Sequence, residues 1–257
     1  KTVEIAKSLG AKVIITSNLA MFHINKQKAI DAAQGMWILQ LDADERVTQE
    51  LAREIKKVIA MSEGELEEYE KHLPSKKLFE RHMRARTSAV EEDPPAGGDG
   101  KTAEVNEVGA PYNAFFIPRL NYFLGKYLRY GGVYPDGTIR LFKKGKAHLP
   151  CKDVHEVMEV EGQIGWLQNP LQHIDSPTFS RYLERNNRYI NYMVEDIKKL
   201  NTKKNLFNFI DYILVKPVSW FFMTTFRHKG ILDGWQGVVF SFFSALRFPR
   251  AYFRYIK

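Results

Sequence analysis

The sequence predicts an α/β fold: a mostly parallel sheet flanked by helices, followed by a helical amphipathic C-terminal extension. Three observations predict it. Short helical patterns alternate with short apolar runs through residues 1–61, and such alternation makes parallel strands with covering helices. One apolar run, Trp37-Ile38-Leu39-Gln40-Leu41, ends abruptly in Asp42-Ala43-Asp44-Glu45; open α/β sheets bind ligands at the carboxyl ends of their strands. From Pro177 onward the period is helical, with Tyr182, Tyr189, Ile190 and Met193 on one face.

Each element has its own local signal. Thr2 can cap a short helix whose apolar face is Ile5, Ala6 and Leu9, with Gly10 as its stop. Val13 to Ile15 read as a β-branched strand. Ala29, Ile30 and Ala33 fall at helical spacing, and Gly35 suits the end of that helix and the start of the strand at Trp37. Thr48 can cap a helix with Leu51, Ile55, Val58 and Ile59 on its apolar side. Residues 62–108 break the pattern. An acidic run (Glu63, Glu65, Glu67, Glu68, Glu70) leads to Arg81, Arg84 and Arg86, then to Glu91-Glu92-Asp93-Pro94-Pro95-Ala96-Gly97-Gly98-Asp99-Gly100. Such a composition buries too little apolar surface to order itself, so a charged, solvated, disordered insertion is expected, with one short helix near 62–72. A lid between the two halves of the domain is the second reading of it. Order resumes at Tyr112 to Pro118, a strand, and at Ile139 to Phe142, another, with Lys143 to Lys146 as its turn. Short strands near His155 to Val160 and Gly165 to Leu167 would complete the sheet.

Composition bounds the function. A chain of 257 residues supports one large domain or a domain with an appendage. Its one cysteine, Cys151, excludes an internal disulfide and fits a reducing compartment, where a small buried hydrophobe is its ordinary role. The net charge of +8 is uneven: Thr178 to Lys257 holds 14 Lys or Arg against 5 Asp or Glu, and the remainder 24 against 25. Aromatic residues concentrate in the same place, with 15 of 33 between Leu206 and Lys257. A nucleic-acid surface would use such residues, but grouped apolar side chains with cationic rims fit the headgroup region of an anionic membrane better, and no nucleic-acid partner is expected. No apolar run in the sequence reaches the roughly 20 residues that span a bilayer, so helices lying in the interface, or packed on the domain, are expected.

The chemistry sits in the acidic pair. Side chains alternate along a strand, so Asp42 and Asp44 would point the same way. Two carboxylates on one face repel unless positive charge lies beside them. A divalent cation carrying a diphosphate would supply it, because hard cations prefer carboxylate and phosphate oxygens. The plainer alternative is a solvated acidic turn. A calcium loop is excluded, since the third acid and the required glycine are missing. His148, His155, His173 and Cys151 lack a recognised zinc spacing.

Taken with Arg46-Val47-Thr48 after it, the stretch Trp37 to Glu45 resembles the signature of family 2 glycosyltransferases with the GT-A (Rossmann-like) fold. Further matches lie in Asn121-Tyr122-Phe123-Leu124-Gly125-Lys126-Tyr127-Leu128-Arg129-Tyr130-Gly131-Gly132, Tyr134-Pro135-Asp136, Arg140-Leu141-Phe142 and Val154-His155-Glu156. Together they are similar to bacterial enzymes that build the lipopolysaccharide inner core and related surface glycans. The resemblance covers residues 1–61 and 113–257. It implies a catalytic domain over 1–61 and 109–177, the insertion 62–108, and a membrane-associating region over 178–257. It also implies that the family's first strand, with its Asn-Glu-Glu segment, is missing before Lys1, a βα unit of roughly 30 residues.

The roles that follow are those the resemblance implies. Asp44 is the metal ligand, for Mg2+ or Mn2+, and Asp42 contacts the ribose or stands behind the metal. Glu156 is the general base and Asp136 its reserve. His173 closes the metal shell or touches the diphosphate. Arg140 pairs with phosphate through its fork-like guanidinium, and Lys26 contacts the donor, as does Gln27, which stands where the family usually has Asn. The activity expected is metal-dependent, inverting transfer of a hexose from a nucleotide-diphosphate sugar, in the first place a UDP-sugar. The acceptor would be a lipid-linked glycan at the inner, cytoplasmic face of a bacterial membrane, to which the enzyme is peripheral. A transferase acting on polyprenyl phosphate, or a non-catalytic membrane-surface protein with an incomplete nucleotide pocket, are the alternatives.

Overall fold

The computed structural model of the chain describes residues 1–17, 21–83, 109–151 and 158–257. The helices of the first half are α1 (Thr2–Ser8), α2 (Phe22–Ala32), α3 (Gln49–Val58), α4 (Glu63–Lys71) and a helical stretch over 76–83, α5. The strands are β1 (Trp37–Leu39), β2 (Glu45–Arg46), β3 (Tyr112–Phe123), β4 (Lys126–Leu128), β5 (Gly137–Lys143), β6 (Ala147–His148), β7 (Glu159–Val160), β8 (Gln163–Trp166) and β9 (Leu171–Ser176). Beyond them α6 (Phe179–Lys199) leads into a helical C-terminal region.

The spine is β3. Its first half pairs with β5 on one edge and β8 on the other; its second half pairs with β4 and β9. Pro118 has no N–H to give, and it sits where the β8 pairing has ended at Phe116 and the β9 pairing begins at Arg119. Leu124 and Gly125 both take left-handed φ, 45° and 93°, which tightens the turn from β3 into β4.

The α/β class holds, but the sheet is mixed and curled rather than mostly parallel. Its order is β1-β5-β3-β9-β2; β3 is parallel to β8 and β9, and β1–β5, β5–β3, β3–β4 and β9–β2 are antiparallel. The expectation of parallel strands rested on two N-terminal βα units, of which the sheet contains only β1. Val13 to Ile15 form no strand and are largely exposed. A β-branched run without a neighbouring strand has no ladder to satisfy its backbone, so propensity alone does not make it one. Similarly, β7 leaves the main sheet and forms a two-stranded ribbon with β6.

Alternate residues of β3 face opposite sides of the sheet. Ala114 and Phe116 join Ile30, Phe79, Phe142 and Trp166 on one face; Phe115 and Ile117 join Leu51, Val58, Leu66 and Leu171 on the other. Helices therefore cover both faces, α2 and α5 on the first and α3 and α4 on the second.

The start of the charged insertion is part of this core, which corrects the expectation of a solvated segment from residue 62. Leu66, Leu73 and Phe79 are buried, and a capping box between Ser62 and Glu65 starts α4. The acids accept hydrogen bonds from backbone N–H groups along the sheet edge that have no strand beside them. Glu63 accepts from Tyr112 (2.9 Å), Glu70 from Trp166 (2.6 Å), and Glu54 from Gln168 and Asn169 (2.7 and 2.8 Å). Carboxylates thus cap an edge that would otherwise invite another strand. Residues 84–108, the remainder of that expectation, lie outside the described residues.

In the C-terminal region, α6 buries Tyr182, Asn186, Ile190, Val194 and Ile197. This face resembles the expected one but is shifted toward residues four apart, with Tyr189 and Met193 at its margin. A single helical segment, Leu206–Arg227, runs for 22 residues and is long and apolar enough to cross a membrane by length and composition. The sequence pattern missed it because Asp211, Lys216 and Pro217 break the apolar run without breaking the helix. Wide i→i+5 turns at Asp211–Val215 and Met223–Arg227 lie on either side of Pro217, and turns of this kind absorb the irregularity that a proline brings.

Candidate functional site

The acidic pair does not lie on one strand. β1 ends at Leu39, and a turn closed by Glu45 N–H donating to the Asp42 carbonyl (3.0 Å) carries the chain into β2. The alternation argument therefore fails in its detail. The two carboxylates instead occupy two ends of one polar network, and β2 explains how. Glu45 pairs in register with His173 on β9, and Ile174 N–H donates to the Asp44 carbonyl (2.8 Å). This sets Asp44 beside the histidine that follows more than a hundred residues later.

Asp42 is the enclosed member. Lys26 Nζ on α2 lies 2.7 Å from its Oδ1, and Arg140 Nη2 on β5 lies 2.6 Å from its Oδ2. Gln40 Nε2 also donates to it. Burial alone would raise its pKa; Arg140 and then Lys26 outweigh burial and hold it at about 2. Asp42 is thus an anion whose charge is already matched.

Arg140 was expected to meet phosphate. Its side chain is instead buried and committed inside the protein, to Asp42, to Gln40 and to Glu45, which Nε and Nη2 both reach (3.2 and 2.6 Å). Glu45 has a fully buried side chain, and its other oxygen accepts from Asp42 N–H at 2.9 Å. The pair therefore fixes the turn that presents both aspartates.

Asp44 is the open member, with a half-exposed side chain 3.5 Å from His173 Nε2. His173 is held on its other nitrogen, where Nδ1 lies 2.6 Å from Asn121 Oδ1. Asn121 Nδ2 donates to Asp136 Oδ2 (3.0 Å), which also receives Arg119 Nη2 (2.8 Å). That network assigns the amide oxygen to His173, so Nδ1 carries the proton and the Nε2 lone pair faces Asp44. Burial, then Arg119, lowers the His173 pKa, against the opposing pull of Asp44 and Asp136, and so favours the neutral ring. Asp175, two residues on, lies 3.9 Å from Nε2 and pairs with Arg185 of α6.

The structure thus brings Lys26, Asp42, Asp44, Asp136, Arg140 and His173 into one network. It does not bring Gln27 there: its amide oxygen accepts from Leu149 N–H and its amide nitrogen donates to Asp31. Asp136, the reserve base, is locked between Arg119 and Asn121, which suits positioning more than proton abstraction. Glu156 lies outside the described residues. Glu45, Arg119, Asn121 and Asp175 went unrecognised in the sequence. Two signals were available: Arg119 and Asn121 sit two apart at the end of an apolar strand, as do His173 and Asp175, and such spacing puts each pair on one face.

Among the described residues, no group of three or more His, Cys, Asp or Glu forms a ready metal site. The open Asp44 carboxylate is a donor of the kind that Mg2+ and Mn2+ take, whereas the imidazole beside it is a donor that later transition metals prefer. A neutral imidazole lone pair facing an open carboxylate offers two ligands of one cluster, and Mg2+ typically takes one or two protein carboxylates and completes its shell with substrate phosphate and water. A cation held there would supply positive charge to an anionic group beside it. No family model matches the chain, and no solved structure matches it significantly.

Proposed function

We propose that the protein is a metal-dependent glycosyltransferase of the GT-A type, acting on a nucleotide-diphosphate sugar with a lipid-linked glycan as acceptor. Its place would be the cytoplasmic face of a bacterial membrane, bound peripherally to the anionic surface. One observation carries the reading: Asp44 is left open beside the Nε2 lone pair of a neutral His173, and Asp42, on the same turn, is already neutralised by Lys26 and Arg140. The two aspartates therefore have different jobs. Asp44 with His173 would hold the cation, which would supply positive charge to the leaving diphosphate, and Asp42 would be left to contact the donor's ribose. Electrostatic stabilisation of developing charge by groups fixed beforehand is the main device such a site needs, and Glu45, Arg140, Arg119 and Asn121 provide the fixing. Hexose as the transferred sugar, inversion at the anomeric carbon, and Glu156 as base follow from the family resemblance.

Titration calorimetry of UDP in manganese buffer tests the reading. Binding is expected to require the metal and to be lost in Asp44→Ala. Metal-independent binding, or binding unchanged by that substitution, removes Asp44 from its role and the proposal with it.

A further inference from the structure

The helix Leu206–Arg227 carries an apolar stripe with no covering partner among the described residues. Phe207, Ile210, Leu214, Val218, Phe222 and Phe226 are between 45% and 78% exposed. After the first step they are four residues apart, and in a regular α-helix that spacing drifts around the axis by about 40° per step. The two i→i+5 turns at Asp211–Val215 and Met223–Arg227 each take in more residues than an α-turn, which offsets the drift and keeps the stripe on the outward side. It extends over about 28 Å at 1.5 Å per residue.

The opposite side of the helix is anchored along its length. Tyr212, Pro217, Thr224 and Thr225 are buried; the Tyr212 ring stacks on Tyr252 at 5.1 Å, and Trp220 Nε1 donates to Ser244 (2.9 Å). Beneath it the helices Trp235–Ala245 and Arg247–Ile256 pack in turn on α6, where Arg250 and Arg254 bond Asn187 and Asn191 (2.7 and 2.6 Å). Exposed cations stand at both ends of the stripe, Lys203 and Lys204 before it and Arg227 and Lys229 after it.

The geometry points to this stripe as a docking face for an anionic bilayer, with the helix lying flat in the headgroup–acyl boundary and not crossing it. A crossing helix would draw its packed side and the arginines behind it into hydrocarbon, which disfavours charge. A flat helix buries only the stripe and leaves the terminal cations level with anionic headgroups. The inference deepens the membrane-surface part of the proposed function and is independent of the donor chemistry.

Sedimentation of the full chain with phosphatidylcholine vesicles, with and without phosphatidylglycerol, tests it. Binding is expected to need the anionic lipid, to weaken with salt, and to be reversed by alkaline carbonate. Phe207→Glu, Leu214→Glu and Phe222→Glu, all at exposed positions, are each expected to cut partitioning about tenfold or more, since each withdraws one apolar side chain from the bilayer and adds a negative charge facing anionic lipid. Unchanged circular dichroism and unchanged UDP binding would show that fold and site are intact. The inference is overturned if the three variants bind as wild type does. It is overturned equally if only Leu214→Glu is damaging and carbonate leaves the protein in the membrane, which is the signature of a crossing helix. It also fails if the variants convert a dimer to a monomer without affecting vesicles, which would assign the stripe to a second copy. Absence of UDP binding in wild type would sink the transferase reading alone.

Discussion

Glu45 and Arg140 meet although their strands never pair. Glu45 is on β2 and Arg140 on β5, with β3 and β9 between them in the sheet order, yet Nη2 lies 2.6 Å from Oε1. The curl of the sheet makes the crossing, and Arg119 on β3 also approaches Glu45, at 3.7 Å. Losing one partner of a buried pair costs about 3–5 kcal/mol, and the lower end applies to Glu45 because Asp42 still faces Arg140 and Asp136 still faces Arg119. Glu45→Ala is therefore expected to lower the melting temperature by about 10 °C, at roughly 2–4 °C per kcal/mol for a chain of this size. Thermal unfolding followed by circular dichroism measures it; a drop within a degree or two would show that the turn does not depend on the pair.

Asn121 positions His173 and touches no substrate in the proposed site. Loss of its oxygen frees the ring to turn and to exchange its protonated nitrogen. Asn121→Ala should weaken manganese-dependent UDP binding about 10–100-fold, the usual effect of removing a partner behind a metal ligand. Asn121→Asp keeps the oxygen for His173 but sets a carboxylate against Asp136, where an N–H donor stood, and should not restore the affinity. Equal affinity in wild type and Asn121→Ala would detach the residue from this role.

Glu70 makes stability depend on pH. Burial pushes its pKa up to about 7, against the opposing effect of the Trp166 N–H. The folded state keeps the proton between the ordinary carboxylate range and about 7, whereas the unfolded state releases it, so stability falls as pH rises through that window and stays reduced above it. Glu70→Gln keeps an oxygen for Trp166 N–H and has no charge to bury. It should raise stability at pH 8 by about 3 kcal/mol and leave it nearly unchanged at pH 4. Urea unfolding at the two pH values decides; equal shifts at both would contradict the argument.

Asp233 joins the C-terminal region to the sheet. Its buried Oδ2 accepts from Arg129 and Tyr130 N–H (2.9 and 2.8 Å), and Gly131 N–H donates to the His228 carbonyl (2.8 Å). Close packing supports this joint, since a Cβ on Gly237 would fall 1.9 Å from the Gly230 carbonyl oxygen. Asp233→Ala strands two N–H groups and should cost about 2–4 kcal/mol, with Asn recovering much of it. Hydrogen exchange at Arg129 and Tyr130 should accelerate in the Ala variant; unchanged protection there would mean the joint lies elsewhere.

Much of this molecule was legible in its sequence, for identifiable reasons. Thr48 caps its helix as its residue type suggests, with Leu51 N–H donating to it; Thr2 does not, since it is the first residue of α1 and that helix start has no side-chain cap. β3, β5 and β8 follow runs of β-branched and aromatic residues, and Gly145 provides the turn after β5. The parallel sheet was not legible correctly, because strand direction depends on which distant strand becomes the neighbour. The acidic run from Glu63 to Glu70 reads as solvated surface until the sheet edge that needs its acceptors is known. At the site, residue types pointed to Asp42 and Asp44, and the family resemblance to His173. The buried partners of Glu45 could not be inferred, since an ion pair across a curled sheet leaves no periodic trace.

The register between β2 and β9 has a consequence for biosynthesis. Asp44 leaves the ribosome well over a hundred residues before His173, and the strand that carries that histidine is the last of the sheet. Until β9 docks beside β3, Asp44 has no imidazole to face and Asn121 has no ring to orient. The nascent chain must therefore wait for its most distant contacts, a long-range topology that slows folding. A ribosome-stalled chain ending before Leu171 should possess both aspartates and yet lack the manganese binding proposed for the whole chain.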